Sequence, residues 1–196
     1  GHIDGEGFEC VDGPLDVAGL DSVGVDAFLL NACQSYRQGM NLIERGAIGG
    51  IVTLTDVLNC EAVKMGRTLA RLLNCGFPLR AALEIARDES IVGGQYIVVG
   101  DGGLAIAQAE SGTPNLCEVE QTGETFRVEQ RTYPTAESGL GSLFVPCAGD
   151  DGEYYLASGT IQTFEMSPDE MERFLELETI PVKIGGKLYW SDRFDP

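Results

Sequence analysis

The stretch VDAFLLNACQS, residues 25–35, decides how the rest of the chain is read. An acidic edge gives way to the apolar run Phe28-Leu29-Leu30, which breaks off in Asn31-Ala32-Cys33-Gln34-Ser35. A short apolar run bounded by polar residues has the pattern of a buried parallel strand, placed here over residues 26–32. Cys33 falls where that strand should end. Open α/β sheets gather reactive groups at the carboxyl ends of their strands, where loops leave the packed sheet. The chain has one histidine, His2, far upstream. A strand-end cysteine and a single histidine make a candidate thiol nucleophile with its base.

Outward from this stretch, residues 8–15 (FECVDGPL) predict a hairpin turning at Asp12-Gly13. Gln38 to Arg45 predicts a short helix ended by Gly46. IGGIVTL, residues 48–54, predicts a second buried strand whose two glycines imply close backbone approach. Asp56 is placed as the N-cap of a long helix to Leu73, stopped by Gly76, and Pro78 opens the next helix, LRAALEIAR. Strand, helix, strand, helix, helix over residues 26–88 implies a parallel crossover unit, hence an α/β fold. From residue 93 the helical period gives way to glycine-punctuated strands: QYIVVGD, LAIAQAE, TFRVEQRTY, SLFVPCA and YYLASGTIQTFEM. Ser167-Pro168-Asp169-Glu170 is a capping box opening a helix over 167–177, and PVKIGGKLYW is a closing hairpin at Gly185-Gly186. The expected organisation is an α/β domain over 1–92 and a β-rich, mainly antiparallel α+β region over 93–196.

The composition bounds the function. There are 31 acidic and 13 basic residues, for a formal charge of −18, and lysine occurs only at 64, 183 and 187. Hydrophobic residues make up 43% of the chain, too many for the acid to be explained by disorder. Dispersed acid with little lysine predicts a surface adapted to very high salt, as in a halophilic archaeon. It also argues against nucleic acid or an anionic membrane as a partner. No C-x-x-C pair occurs among the six cysteines, which argues against zinc. Cys60 and Cys75 sit in a helical pattern and Cys33 on an apolar strand. They read as reduced, packed thiols, which predicts a cytoplasmic protein. No apolar run is long enough for a signal peptide or membrane span. The abrupt opening at Gly1-His2, without an initiator methionine, reads as part of a longer protein.

An ordered set of motifs then carries a resemblance. A histidine is followed by the D-G hairpin, FLLNACQS, GMNLIERGAIGGIVTLTD and, after a helix, GFPLRAALEIA. This resembles the C-terminal part of a CHAT domain, a member of the caspase-like cysteine peptidases, and the similarity covers residues 1 to 90. It implies a partial caspase-like parallel sheet with flanking helices, strands supplied by an upstream segment, a peptide or protein substrate, and no cofactor. Carried over by position, Cys33 is the nucleophile and His2 the base, with backbone N–H groups near Cys33 and after His2 holding the oxyanion. The family has glycine after the histidine, whereas this chain has Ile3. Asp4 and Asp56 are candidate carboxylates for selecting Arg or Lys, and Gln34 and Ser35 candidate groove residues. The plainer readings are a buried structural thiol at Cys33 and a helix cap at Asp56. The alternatives are a non-catalytic caspase-like protein–protein interaction module, supported by Ile3, or a partner-binding role for the β-rich half.

Overall fold

The computed structural model describes residues 3–4, 7–107, 113–133, 144–149, 152–157, 161–177 and 180–190, with backbone alone for 3–4, 144–149, 152–157 and 177. The architecture is mixed α/β. The chain divides into two compact units, residues 1–74 with 78–106, and residues 75–77 with 107–196. The division therefore falls after Ile106, later than the expected boundary at 92/93.

In the first unit, β1 (Ile3–Asp4), β2 (Gly7–Cys10) and β3 (Gly13–Leu15) form an antiparallel meander, and β2 and β3 are the expected Asp12-Gly13 hairpin. A second sheet runs β4 (Ala27–Leu29), β5 (Gly49–Thr53), β6 (Tyr96–Gly100) in that order. Strand β4 pairs parallel to β5 with Phe28 opposite Gly50. The expected crossover between them is made by α1 (Tyr36–Glu44). All five residues of β5 are buried, as a central strand requires. Its glycines do make room for neighbours. A Cβ on Gly50 would lie 2.3 Å from the Phe28 ring.

The long helix is α2 (Asn59–Asn74), which buries Ala62, Met65, Leu69, Leu72 and Leu73 on one face. It begins three residues beyond Asp56, so Asp56 is not its cap. The next helix is α3 (Leu79–Arg87), with Pro78 at the N-cap position and six of its nine residues buried. Two helices between β5 and β6 return the chain to the end of the sheet it left. Leu54 N–H donates to Gln95 O at 2.9 Å, so β6 starts where β5 stops. It consequently runs antiparallel and completes the β4-β5-β6 sheet of the first unit, although its sequence reads with the β-rich half. The expected strand at LAIAQAE is absent over residues 104–107, and residues 108–110 lie outside the described residues. The G-D-G-G turn before it has another use. The carbonyls of Gly102 and Leu104 accept from the N–H groups of Arg80 and Leu79, at 2.9 and 3.0 Å. They satisfy donors that the first turn of a helix leaves orphaned.

The second unit is built on a five-stranded sheet of β7 (Asn115–Thr122), β8 (Thr125–Thr132), β11 (Ile161–Met166), β12 (Pro181–Ile184) and β13 (Lys187–Trp190), in the order β11-β8-β7-β12-β13. Only β7 and β12 pair in parallel. A separate hairpin is formed by β9 (Phe144–Gly149) and β10 (Gly152–Ala157). The helix α4 (Pro168–Leu177) packs on β8 and β11 through Met171, over a core of Cys117, Val119, Val128 and Val182. Its capping box forms, with Ser167 N–H donating to Glu170 Oε2 at 2.7 Å. Strand β7 is the element not expected from the sequence. Its glutamates depress strand propensity, although Cys117 and Val119 keep the two-residue alternation. Of the cysteines expected to be packing residues, Cys117 is buried but Cys10 and Cys60 are exposed. No helix among the described residues is long and apolar enough to cross a membrane.

Candidate functional site

Strand β4 is shorter than expected, ending at Leu29, and Cys33 lies beyond it in the turn that enters α1. The turn is tight because Gln34 takes φ +51°, the one described non-glycine residue with positive φ. That left-handed conformation is uncommon for a residue with a side chain, and such backbone concentrates at functional sites. The Cys33 side chain is half-buried. Val57 N–H donates to its Sγ at 3.4 Å, and the thiol points at Val57 O at 3.7 Å. The loop after β5 is thus the wall against which the sulfur rests.

Four of the six sequence-predicted residues gather here. Gln34 is exposed and its Nε2 donates to Asp56 Oδ1 at 3.1 Å, across the same loop. Asp56 is also exposed. Ser35 is fully buried. It occupies the N-cap position of α1 yet makes no cap bond. Its Oγ donates to Leu30 O at 2.9 Å and accepts from Thr53 N–H at 2.9 Å. It is therefore a structural tie, not a groove residue. Of the remaining two, the backbone of Asp4 lies in β1 while its side chain lies outside the described residues, as does all of His2.

Backbone donors near Cys33 were expected to hold an oxyanion. The N–H of Gln34 donates to Thr55 O at 3.2 Å, and that of Ser35 to Thr53 Oγ1 at 3.3 Å. Both are committed within the fold, so neither serves as an oxyanion donor in this arrangement.

Three residues of the site carried no signal on their own. Asn31 Nδ2 donates to Ala62 O at 2.8 Å, and its Oδ1 accepts from the Tyr96 hydroxyl at 2.6 Å. Tyr96, at the start of β6, is wholly buried. Its phenol is pushed up to about 12 by burial and, second, by the charge of a Cys33 thiolate. Thr53, the last residue of β5, sends its hydroxyl to Ala32 O. Asn31 and Thr53 are visible in the sequence only as polar residues ending apolar runs. Tyr96 lies 65 residues from its partner. Among the described residues, no group of three or more His, Cys, Asp or Glu could hold a metal ion. The chain matches no protein-family model, no curated protein and no solved structure.

Proposed function

We propose that the chain is part of a CHAT-type, caspase-like cysteine peptidase in which Cys33 attacks the substrate carbonyl and His2 is the base. One observation carries the reading. A half-buried thiol sits in a strand–turn–helix junction beside a residue in left-handed conformation, the kind of junction at which α/β folds present reactive groups. His2 would take the thiol proton, and the sulfur would bond to the scissile carbonyl carbon. The leaving amine would depart with that proton, and water would release the acyl group. The Val57 N–H donates to Sγ and holds the sulfur in place beside the loop. Asp56, not engaged as a cap and exposed next to Gln34, is the carboxylate that would select Arg or Lys beside the cut; Asp4 keeps the same proposed role. The parallel β4–β5 pair with α1 is the portion of a caspase-like sheet that the motifs imply, with an upstream segment supplying its neighbours. The substrate is a peptide or protein, and the setting is a cytoplasm of high salt.

A second reading, a non-catalytic caspase-like interaction module, is favoured by the committed N–H groups of Gln34 and Ser35 together with Ile3 after the histidine. Cleavage of fluorescein-labelled casein in concentrated KCl separates the two. The peptidase reading expects cleavage that Cys33→Ala abolishes with the fold intact and that His2→Ala slows. Cleavage unaffected by Cys33→Ala, or none at all, leaves the interaction module.

A further inference from the structure

Both ends of the turn that carries Cys33 are tied down, and both ties come from one position in the sheet. Thr53 and Tyr96 face each other across the β5–β6 ladder, and directly opposed residues project to the same face. Thr53 and Ser35 exchange two hydrogen bonds, N–H of each to the hydroxyl of the other, while the Thr53 hydroxyl reaches Ala32 O and the Ser35 hydroxyl reaches Leu30 O. That ring holds the helical end of the turn. Tyr96 holds the strand end, through Asn31, whose amide is fixed in orientation because Oδ1 accepts from the phenol and Nδ2 donates to Ala62 O. Helix α2 leaves room for this amide at Gly66, where a Cβ would lie 2.5 Å from Asn31 Nδ2. The thiol lies between the two anchors.

We propose that Tyr96 and Thr53 are positioning residues for Cys33, acting through Asn31 and Ser35 to hold the thiol against the Val57 backbone. The proposal rests on Cys33 as the reactive thiol of the site. It accounts for three features that packing leaves unexplained. A tyrosine hydroxyl is buried where phenylalanine would fill the same space. A serine at a helix N-cap is turned away from the helix it should cap. Glycine stands inside α2 where alanine would favour the helix. The raised Tyr96 phenol is consistent with it, since burial and, second, the charge at Cys33 both act on that hydroxyl.

The test is iodoacetamide alkylation of the full chain in concentrated KCl, read at each cysteine by peptide mass spectrometry, with exposed Cys10 as the internal reference. Releasing the turn exposes the half-buried sulfur. Tyr96→Phe and Asn31→Ala are each expected to raise the Cys33-to-Cys10 rate ratio about threefold or more, and the double variant no further than Asn31→Ala alone, because Asn31→Ala already removes the bond to Tyr96. An unchanged ratio in Tyr96→Phe, or additive effects in the double variant, overturns the proposal. Gly66→Ala reaches the same amide from the helix side, placing a methyl group on Asn31, so the ratio should rise there too. Each variant is read equally far below its own thermal midpoint, so that lost stability alone does not raise the ratio. An unchanged ratio in Gly66→Ala under that condition overturns the proposal. Should Tyr96→Phe not fold, NMR of the unmodified chain decides. A slowly exchanging Tyr96 hydroxyl proton correlated with the Asn31 amide is expected, and a rapidly exchanging one counts against the bond. The peptidase reading fails separately, by absent or Cys33-independent casein cleavage, and the alkylation coupling is measured either way.

Discussion

At the residue scale, the site depends on polar groups whose partners are distant in the chain. Cys33 and Gln34 were legible because residue type and strand position mark them, whereas Asp56 reads first as a helix cap and only the structure sets it against Gln34. Ser35 was legible as a member of the turn but not in its role, since it reads as a groove residue and its partners Leu30 and Thr53 are fixed only by the fold. Tyr96 could not be found locally at all, because a tyrosine opening a β-rich run reads as one more strand residue. Its phenol offers a measurement. Burial and the Cys33 charge raise it to about 12, against an ordinary value near 10 in an unfolded chain. The fold therefore favours the neutral phenol. That stabilisation is complete below about pH 10, where the unfolded chain also keeps the proton, and is lost progressively as pH rises to about 12. Ultraviolet titration should show a late phenolate step that Tyr96→Phe removes. In stability measured against pH, Tyr96→Phe should flatten the decline over the same window. A Tyr96 that ionises with the exposed tyrosines contradicts both.

At the element scale, periodicity and punctuation located most of the first unit. The glycine pair of β5, the Asp12-Gly13 hairpin and the amphipathic α3 lie where their patterns put them. What the patterns could not convey was direction. A buried apolar strand looks the same whether its neighbour runs with or against it. Strand β6 therefore reads with the β-rich half, whereas the two-helix return before it sets it antiparallel to β5 in the first unit. Strand β7 was lost for the opposite reason, since glutamates on one face masked an alternation that the core at Cys117 and Val119 requires. The contact between β4 and β5 is sensitive to volume. Gly50→Ala puts a Cβ against the rigid Phe28 ring, which cannot turn away while β4 and α1 enclose it. Overpacking of this kind costs about 1–3 kcal/mol, which outweighs the roughly 0.5–1 kcal/mol a strand gains by replacing glycine. Urea denaturation should show a lower midpoint for Gly50→Ala, with partial recovery in Gly50→Ala/Phe28→Leu. Equal stability of Gly50→Ala and the unmodified chain would mean that the ring is not held where β4 places it.

At the scale of the whole molecule, the dominant quantity is the formal charge of −18 on 196 residues. Two electrostatic effects oppose each other as salt is added. Attractive pairs weaken, and general repulsion weakens too. Arg131–Glu129, at 3.1 Å, joins neighbours on a single strand and is partly exposed. A surface pair of this kind contributes about 0–1 kcal/mol. Self-repulsion of 31 carboxylates facing 13 cations has no such compensation. Repulsion therefore decides the sign, and salt should stabilise. The screening length falls from about 10 Å at 0.1 M to about 3 Å at 1 M, so most of this gain should arrive by about 1 M KCl. Any further rise above that would have to come from hydration of the carboxylate surface, not from screening. Calorimetric unfolding across KCl concentrations is expected to show a rising midpoint. Sucrose at matched osmolality should give a smaller rise, because it favours compact states by exclusion without screening charge. A midpoint that falls with KCl would mean that attractive pairs outweigh repulsion, and the reading of the acidic surface as an adaptation to high salt would fall with it.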